Sequence, residues 1–544
     1  MAKEMSVLIA GEAGQGTDSS GRHIAEFFSD QGLWAFMHRD YQSVIRGGHS
    51  FAVVKSGEEE IFAVDNEIDV LIALNHDSLK HSSQLKKDGL IVCARGCPEI
   101  KGFRTVSIPF SEIEQKWGKL FLNSACISAF LTAKGYDFKD FVKLLKKKQK
   151  ENFEVMQFAA EYVKKNYSKF IESKKTSGKS KGHVVSGNQA IAQGLIGAGL
   201  ERYYAYPMTP ATGILDYLAL NQKNFGLALQ PENEISVINM ALGSAYAGKI
   251  SAVGTSGGGF DLMHEALSLA GVAEIPILVI EAQRASSSTG LPTYSGQADL
   301  LSVIYSGHGE FPRIVAAPAT TEEAYELSAE LLKLAWKYQT PAILLSDKNV
   351  SESYKTTKFS RIEKIKLKFA KGNQRYKMSG NGISPMIVPG TSDSIAKVSS
   401  YEHDEFGYTS EEGQMAASMQ NKRAMKRNAL TDEIEKLETV KTYGKGNIAV
   451  IAFGSAVNPF REALKYSKDL KIIQPIYLEP FPKDKILKEL KKTKAVFVAE
   501  YNQDGQLSEI LKREGIWKDD FVQMLKFDGR PFNPKEVAIT RSKK

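Results

Sequence analysis

Short apolar runs rich in β-branched residues recur along this chain, and segments with helical periodicity lie between them. In the first 165 residues these runs read SVLIAG, SFAVVKSG, DVLIALN and GLIVCA. Alternation of strands with helices builds a sheet that helices cover on its faces. The sequence therefore predicts an α/β domain with a mostly parallel sheet over residues 1–165.

The same alternation resumes twice, which predicts a multidomain α/β protein. At 544 residues the chain is too long for one hydrophobic core. A second α/β domain is predicted over residues 183–347 and a third over 446–544. The Lys/Ser/Gly-rich residues 166–182 predict a linker. Residues 348–445 are polar and turn-rich, and we expect an irregular insert that ends in a charged helix around Lys422 to Lys441.

The composition is that of an ordinary soluble globular protein, with 42% hydrophobic and 25% charged residues. A net charge of +8 is spread thinly. The densest basic stretches, residues 146–150 and 174–181, lack the interleaved aromatics of a single-strand nucleic-acid groove. They suit a solvated surface or an acidic partner protein, and we expect no nucleic-acid binding. We find no signal peptide and no bilayer-spanning run, so we expect a cytoplasmic location without membrane contact.

The three cysteines are Cys93, Cys97 and Cys126. Their number is odd and no C-x-x-C pair occurs, so we expect all three to be reduced. An iron–sulfur cluster normally needs four thiolates. This chain alone therefore cannot hold one.

Two motifs in the first domain suggest contacts to a ligand or a subunit. Gly11 to Thr17, read as GEAGQGT, follows a strand and opens a helix, where backbone N–H groups can approach a phosphate. Its spacing differs from the G-x-G-x-x-G of a dinucleotide site, which argues against an NAD-dependent dehydrogenase. A tight turn facing another subunit remains an alternative. Arg46 and His49 lie in YQSVIRGGHS, which also suits a plain loop leading into a strand.

Three motifs in the second domain bring candidate catalytic side chains to strand ends. Thr209 in YPMTPAT is flanked by prolines that fix its loop, although Thr212 acting as a helix cap is an alternative explanation. Glu234 opens a helix rich in small residues, as either a dipole-matched cap or a desolvated acid. Arg284 leaves the apolar strand IPILVI and suits either bidentate carboxylate binding or an ion pair with a neighbouring acid such as Glu281.

Taken in series, these motifs resemble the 2-oxoacid:ferredoxin oxidoreductases, in the form where a γ domain is fused ahead of the α subunit. GEAGQGT and YQSVIRGGHS resemble γ-domain motifs. Those resembling the α subunit are VSGNQAIAQGLIGAG, YPMTP, the ENE helix, GTSGGGFDLMHEAL, QRASSSTGLPT, GHGEFPRIVAAPAT, GISPMIVPGT, EHDEFG, YLEPFP and AEYNQDGQL. The resemblance covers almost the whole chain.

The resemblance implies a fold, a reaction and roles for named residues. The fold would be a γ-type α/β domain, then the pyrimidine-binding domain of the thiamine diphosphate fold, then a transketolase C-terminal-like domain. Glu234 would hydrogen-bond the aminopyrimidine of thiamine diphosphate, Arg284 would hold the substrate carboxylate, and Thr209 would bind substrate beside it. Arg46 would contact coenzyme A or a subunit. The reaction would be the CoA-dependent oxidative decarboxylation of a 2-oxoacid with reduction of ferredoxin. As substrate, the resemblance favours 2-oxoglutarate or a broad range of 2-oxoacids over strict pyruvate specificity.

The same resemblance implies a partner chain. Thiamine enzymes normally bind the diphosphate and Mg²⁺ through Gly-Asp-Gly, which this sequence lacks. Mg²⁺ and a [4Fe-4S] cluster would therefore belong to a β subunit, in an αβ or (αβ)₂ assembly, and this chain alone would be inactive.

Two departures from the family pattern bear on function. YPMTPAT stands where YPITPSS is common, and SSSTG stands where GPSTG is common, so the substrate preference is left open. Two alternatives also stay open: a non-catalytic subunit of the same fold, and a transketolase-like thiamine enzyme that does not use ferredoxin.

Overall fold

The computed structural model describes residues 4–44, 47–145, 147–173, 175, 178–390 and 395–539. The chain divides into two compact units, and the ranges assigned to the first are 1–186, 353–358 and 533–544. The second unit is formed by residues 187–352 and 359–532. None of the helices within the described ranges is both long and apolar enough to cross a bilayer.

The strands formed by the described residues are numbered in chain order. They are β1 (Met5–Ala13), β2 (Trp34–Tyr41), β3 (Gly47–Gly57), β4 (Ile68–Ala73), β5 (Leu85–Ala94), β6 (Arg104–Ile108), β7 (His183–Ser186), β8 (Arg202–Tyr204), β9 (Leu227–Leu229), β10 (Ser251–Thr255), β11 (Ile277–Gln283), β12 (Ile314–Ala316), β13 (Pro341–Asp347), β14 (Tyr354–Thr357), β15 (Val440–Tyr443), β16 (Ile448–Ala452), β17 (Leu470–Pro475), β18 (Tyr477–Glu479), β19 (Ala495–Glu500) and β20 (Val522–Leu525). Each strand run quoted above overlaps one of them.

The helices are numbered in the same way. They are α1 (Thr17–Asp30), α2 (Phe110–Trp117), α3 (Leu122–Ala133), α4 (Phe138–Val142), α5 (Gln149–Asn166), α6 (Gly187–Ala198), α7 (Thr212–Leu220), α8 (Glu234–Tyr246), α9 (Gly258–Asp261), α10 (His264–Val272), α11 (Leu300–Ile304), α12 (Thr321–Tyr338), α13 (Lys348–Glu352), α14 (Gly413–Ile434), α15 (Val457–Ala463), α16 (Lys483–Leu490), α17 (Gln506–Arg513) and α18 (Pro534–Ile539).

The sheet of the first unit has the strand order β6-β5-β4-β1-β3-β2-β14-β7. The pairings from β6 to β1 are parallel, whereas those from β1 to β7 are antiparallel. The prediction of a mostly parallel sheet is therefore wrong for half of it. The connection from β2 to β3 is too short for a crossover, so these neighbours pair as antiparallel strands.

Two strands of this sheet come from later in the sequence. β14 pairs with β2 on one side, where Tyr354 lies opposite Met37, and with β7 on the other, where Lys355 lies opposite Val185. The first unit thus contains strand residues from both sides of the 187–352 segment.

The second unit contains two further sheets. The larger has the order β18-β12-β13-β11-β10-β8-β9, and all its neighbours are parallel except β18 and β12. The smaller has the order β15-β17-β16-β19-β20, with β15 antiparallel. β11 and β13 are buried along their whole length, as expected for strands covered on both faces.

The insert is irregular, and the charged helix that follows it, α14, begins and ends earlier than the predicted 422–441. No helix or strand forms among the described residues between β14 and α14. In α14, Lys422 and Lys426 are only 1% exposed. Both ammonium groups bind the carboxylate of buried Glu274, Lys422 at 2.5 Å. Burial alone would raise the pKa of Glu274, but the two lysines and Arg375 outweigh it and bring the pKa to about 2.

The cysteine prediction is wrong for one pair. Cys93, at the end of β5, forms a disulfide with Cys97, and their Cα atoms are 6.4 Å apart. The turn after β5, closed by a bond from Cys97 N to the carbonyl of Ala94, folds the chain back and brings the two sulfurs together. Cys126 is free and buried, and burial raises the pKa of its thiol.

Candidate active site

The carboxyl ends of β8, β10 and β11 lie side by side in the larger sheet of the second unit. In parallel sheets ligands bind outside this edge. The loop with Thr209 follows β8, a glycine-rich turn follows β10, and Arg284 follows β11 directly. The structure therefore brings two of the predicted residues to one edge, and Glu234 reaches the same edge from α8.

Glu234 opens α8 because Asn233 caps the helix. The Asn233 side chain accepts a hydrogen bond from Ser236 N at 2.9 Å, which leaves Glu234 on the first turn. Glu234 is only 5% exposed. Its Oε1 atom is buried and has no hydrogen-bond partner among the described residues. The cap is thus Asn233, and the Glu234 carboxyl remains available to a ligand.

A glycine loop, defined here as Gly257–Gly259, lies against this carboxyl group. A Cβ atom built on Gly259 would stand 2.6 Å from Glu234 Oε1 and 2.3 Å from Thr255 Oγ1. The hydroxyls of Thr255 and Ser256 are also buried without partners in the described structure. Unpaired buried polar atoms are costly unless something binds them. Such a cluster indicates a polar ligand at this position.

Two nitrogens of the Arg284 guanidinium group donate to backbone carbonyls, and the third has no partner among the described residues. Arg284 donates from Nη1 to the carbonyl of Thr209 at 3.0 Å and from Nη2 to the carbonyl of Ser288 at 3.3 Å. Its Nε is buried with no partner among the described residues. None of these bonds goes to Glu281, so the structure shows no ion pair between Arg284 and that residue. The Cβ position of Gly257 lies 3.9 Å from Arg284 Nε, which puts the arginine at the other end of the glycine loop.

The loop after β8 differs from the helix-cap alternative. α7 begins at Thr212, but Ala211 holds the cap position and no side-chain cap bond forms. Thr209 is half-buried, and the following Pro210 carbonyl accepts from Asn188 at 2.7 Å. The loop is thus fixed by its backbone contacts, with Thr209 beside Arg284.

In the first unit, the GEAGQGT motif lines a cavity of about 830 Å³. α1 begins at Thr17, and Gly16 at its cap position has φ of 74°, so the glycine is required there. The basic residues that line the cavity are Arg22, Lys119, Lys147 and Lys148. A helix N-terminus with four basic neighbours suits a phosphorylated ligand. Arg46 lies outside the described residues.

Comparisons with known proteins agree with this arrangement. Residues 193–422 match the model of the thiamine-diphosphate-binding domain of pyruvate flavodoxin/ferredoxin oxidoreductase, and residues 6–168 match the model of pyruvate ferredoxin/flavodoxin oxidoreductase. The α subunit of a 2-oxoacid:ferredoxin oxidoreductase from a Sulfolobus species is 28% identical, over 98% of this chain and 96% of that protein. The chain belongs to the 2-oxoacid:ferredoxin oxidoreductase family.

Two further relatives of this oxidoreductase chain are informative. The KorA subunit of 2-oxoglutarate oxidoreductase from Mycobacterium tuberculosis is 33% identical over 65% of this chain and 56% of that one. The 2-oxoglutarate:ferredoxin oxidoreductase from Magnetococcus marinus, solved with 2-oxoglutarate, coenzyme A and succinyl-CoA bound, superimposes with a TM-score of 0.87. It is 28% identical and the match covers 98% of both chains. The predicted family and the multidomain α/β fold are confirmed.

Among the described residues of the oxidoreductase chain, buried Glu281 and partly buried Asp299 form an acidic pair that the sequence analysis did not predict. Glu281, the fifth residue of β11, has no exposed surface and accepts from Gly257 N at 2.7 Å. The Asp299 carboxyl is its other hydrogen-bonding neighbour. An acid within the apolar run IPILVIEA was the available signal for Glu281. No such sequence signal exists for Asp299, because the segment before α11 has no strand or helix pattern.

Proposed function

We propose that this chain is the α subunit, with a fused γ domain, of an oxidoreductase that converts 2-oxoacids and coenzyme A into acyl-CoA and CO₂ while reducing ferredoxin. The observation that carries the proposal is the buried, unpartnered Glu234 Oε1, at the same sheet edge as Arg284. Relatives aligned over nearly the full length are named for this activity, and one was solved with 2-oxoglutarate and coenzyme A bound.

The residues around Glu234 fit the pyrimidine end of thiamine diphosphate. A carboxyl oxygen and two hydroxyl groups are buried without partners, and Gly259 leaves room where a side chain would collide with Glu234. When bound, this cofactor accepts the electron pair that departing CO₂ leaves behind. Glu234 would bind the ring and exchange a proton with its nitrogen. Acid–base help of this kind is worth roughly 10²–10⁴-fold in rate.

Arg284 and Thr209 would hold the 2-oxoacid. The guanidinium plane is fixed by the carbonyls of Thr209 and Ser288, which leaves its buried Nε–H to donate to a carboxylate oxygen. The Thr209 hydroxyl would donate to substrate beside it. We favour 2-oxoglutarate or a broad range of 2-oxoacids that includes pyruvate.

We assign coenzyme A binding to the first unit. The cavity beside Gly14 and Gly16 combines a helix N-terminus with four basic side chains, which matches the phosphates of coenzyme A. Arg46 is proposed as a further contact to coenzyme A or to a neighbouring subunit.

The remaining cofactors are proposed to lie on a β subunit. The sequence has three cysteines and no Gly-Asp-Gly, so Mg²⁺ and a [4Fe-4S] cluster need another chain. Ferredoxin would accept electrons from a cytoplasmic αβ or (αβ)₂ assembly.

The five-part domain division stays a prediction about autonomous domains. Its parts are 1–165 as the γ domain, 166–182 as a linker, 183–347 as the pyrimidine-binding domain, 348–445 as the insert and connecting helix, and 446–544 as the C-terminal domain.

Co-expression with the β-subunit gene tests the proposal. The purified complex should reduce methyl viologen with 2-oxoglutarate or pyruvate only when coenzyme A is present. This chain purified alone should be inactive and colourless. A complex that assembles and carries its cluster, yet reduces the dye with neither 2-oxoacid, would contradict the proposed function.

A further inference from the structure

Glu281 and Asp299 bring two carboxyl groups together beneath the glycine loop. One oxygen of Glu281 accepts from Gly257 N, while its Oε2 is buried and receives no hydrogen bond from a nitrogen or hydroxyl of the described structure. Its neighbour is the Asp299 carboxyl. Two carboxylates in contact inside a protein cannot both be ionised, so a proton lies between them.

The charged groups around the pair determine which acid keeps that proton. Burial and then the charge of Asp299 raise the pKa of Glu281 well above its ordinary value. Burial and then the charge of Asp261 raise the pKa of Asp299 to about 6, although Arg284 opposes this. On the flanking strands, Thr255 and Leu345 lie beside Glu281 and neither is acidic or basic. Burial and the charge of Asp299 thus favour Glu281 as the acid that keeps the proton, which leaves the negative charge on Asp299.

The glycine loop links this pair to both functional side chains. Its first residue, Gly257, has φ of 45° and lies beside Arg284 Nε, and its last residue, Gly259, lies against Glu234. The Gly257 N–H is held by Glu281 at 2.7 Å. A protonated Glu281 can accept that bond with one oxygen and donate to Asp299 with the other.

We propose that Glu281 and Asp299 are positioning residues that share one proton, with Glu281 fixing the glycine loop between Glu234 and Arg284 and Asp299 supplying a negative charge that Arg284 faces. This inference rests on the proposed function for its kinetic consequences. The shared proton itself is measurable without turnover.

Two substitutions at Glu281 separate positioning from packing. Glu281→Gln retains the pattern of the protonated acid, because its amide oxygen accepts from Gly257 N and its NH₂ donates to Asp299. Glu281→Leu keeps a similar volume but removes both bonds. We expect Glu281→Leu to lower kcat roughly 10²-fold, as for a small misplacement of catalytic groups. Glu281→Gln should restore most of that loss.

Infrared difference spectroscopy of the full chain with its β subunit reports the proton directly. At pH 7 the wild-type protein should have the C=O stretching band of a protonated carboxyl, and Glu281→Gln should remove it. Glu323→Gln is the matched control, because Glu323 is also buried in this unit but forms an ion pair with Lys441 at 3.0 Å, and its substitution should leave the band unchanged.

The outcomes for the two proposals differ. A protonated-carboxyl band that survives in Glu281→Gln would overturn the inference, whatever the activity. An equal loss of turnover in Glu281→Gln and Glu281→Leu would overturn the positioning role. A wild-type complex with the band but without CoA-dependent dye reduction would leave the shared proton standing and contradict the proposed function. If Glu281→Leu fails to fold, the band and the Glu281→Gln kinetics still decide.

Discussion

Gly259 lies directly against Glu234, so that a Cβ atom at position 259 would stand 2.6 Å from the carboxylate oxygen Oε1. Such a separation is well below van der Waals contact. The carboxyl group, itself 5% exposed, therefore keeps its position only because residue 259 has no side chain. The glycine loop after β10 thus sets the position of the Glu234 carboxyl group at the start of α8.

Gly259→Ala should displace Glu234 and lower kcat roughly 10²-fold. The added methyl would also meet Thr255 Oγ1 at 2.3 Å, so both neighbours must move. Gly258→Ala is the matched control, since a Cβ there meets nothing within 4 Å, and its loss of kcat should be smaller. Steady-state dye reduction by the αβ complex measures kcat for both variants. Equal losses of kcat would argue against a collision with Glu234.

Glu234→Gln should lower CoA-dependent methyl viologen reduction by roughly 10²–10⁴-fold, because an amide cannot exchange the proton. The side chain keeps its size, so assembly with the β subunit should persist on gel filtration. Glu232→Gln makes the same chemical change two residues earlier at an exposed position and should retain activity. Wild-type turnover in Glu234→Gln would remove Glu234 from its role.

Arg284→Lys should weaken use of the 2-oxoacid. A lysine cannot hold the carbonyls of Thr209 and Ser288 and a carboxylate at once, since it lacks the planar fork. A lost charge-assisted hydrogen bond costs about 1.5–3 kcal/mol, or roughly 10–10²-fold in kcat/KM. Arg202→Lys serves as the control, because the Arg202 side chain binds only the Glu201 carbonyl, at 2.8 Å, among the hydrogen bonds of the described chain. Kinetics that are unchanged in Arg284→Lys would contradict the substrate contact.

The stability of the Glu281→Gln variant relative to the wild type should increase as the pH rises. The folded-state pKa of Glu281 is raised, so folding takes up a proton above the unfolded value near 4.5, and the wild type loses stability as pH increases beyond it. Glutamine does not titrate. The variant's free energy of unfolding should therefore rise relative to that of the wild type from pH 5 to pH 8, by up to about 1.4 kcal/mol per pH unit. Calorimetry at both values checks this, and a constant difference would contradict it.

The Cys93–Cys97 disulfide should be detectable by mass spectrometry of the non-reduced protein, with the linking peptide two hydrogens lighter than after reduction. Cys126 should resist alkylation in the folded state because it is buried. Replacing Cys97 by Ser opens a short loop and should cost the first unit about 2 kcal/mol of unfolding free energy. Full alkylation of Cys97 without a reductant would contradict the bond.

The strands and the sheet-edge residues could be predicted because their signals are local. An apolar run such as the one in β11 needs only its own sequence to indicate a buried strand, and Arg284 follows it immediately. The pairing of β14 with β2 and the burial of Lys422 against Glu274 could not be predicted. Both depend on partners far away in the chain, which periodicity does not report. Asp299 could not be predicted either, because the segment before α11 has no strand or helix pattern.

The sheet of the first unit also imposes an order on biosynthesis. β2 obtains its outer neighbour only when residues 354–357 have left the ribosome, almost 190 residues after α5 ends. At ordinary translation rates that interval lasts roughly 10–40 s. Throughout it, the nascent domain presents β2 as an unpaired edge that could pair with other chains. Slow synthesis or truncation before β14 should therefore favour aggregation of this polypeptide.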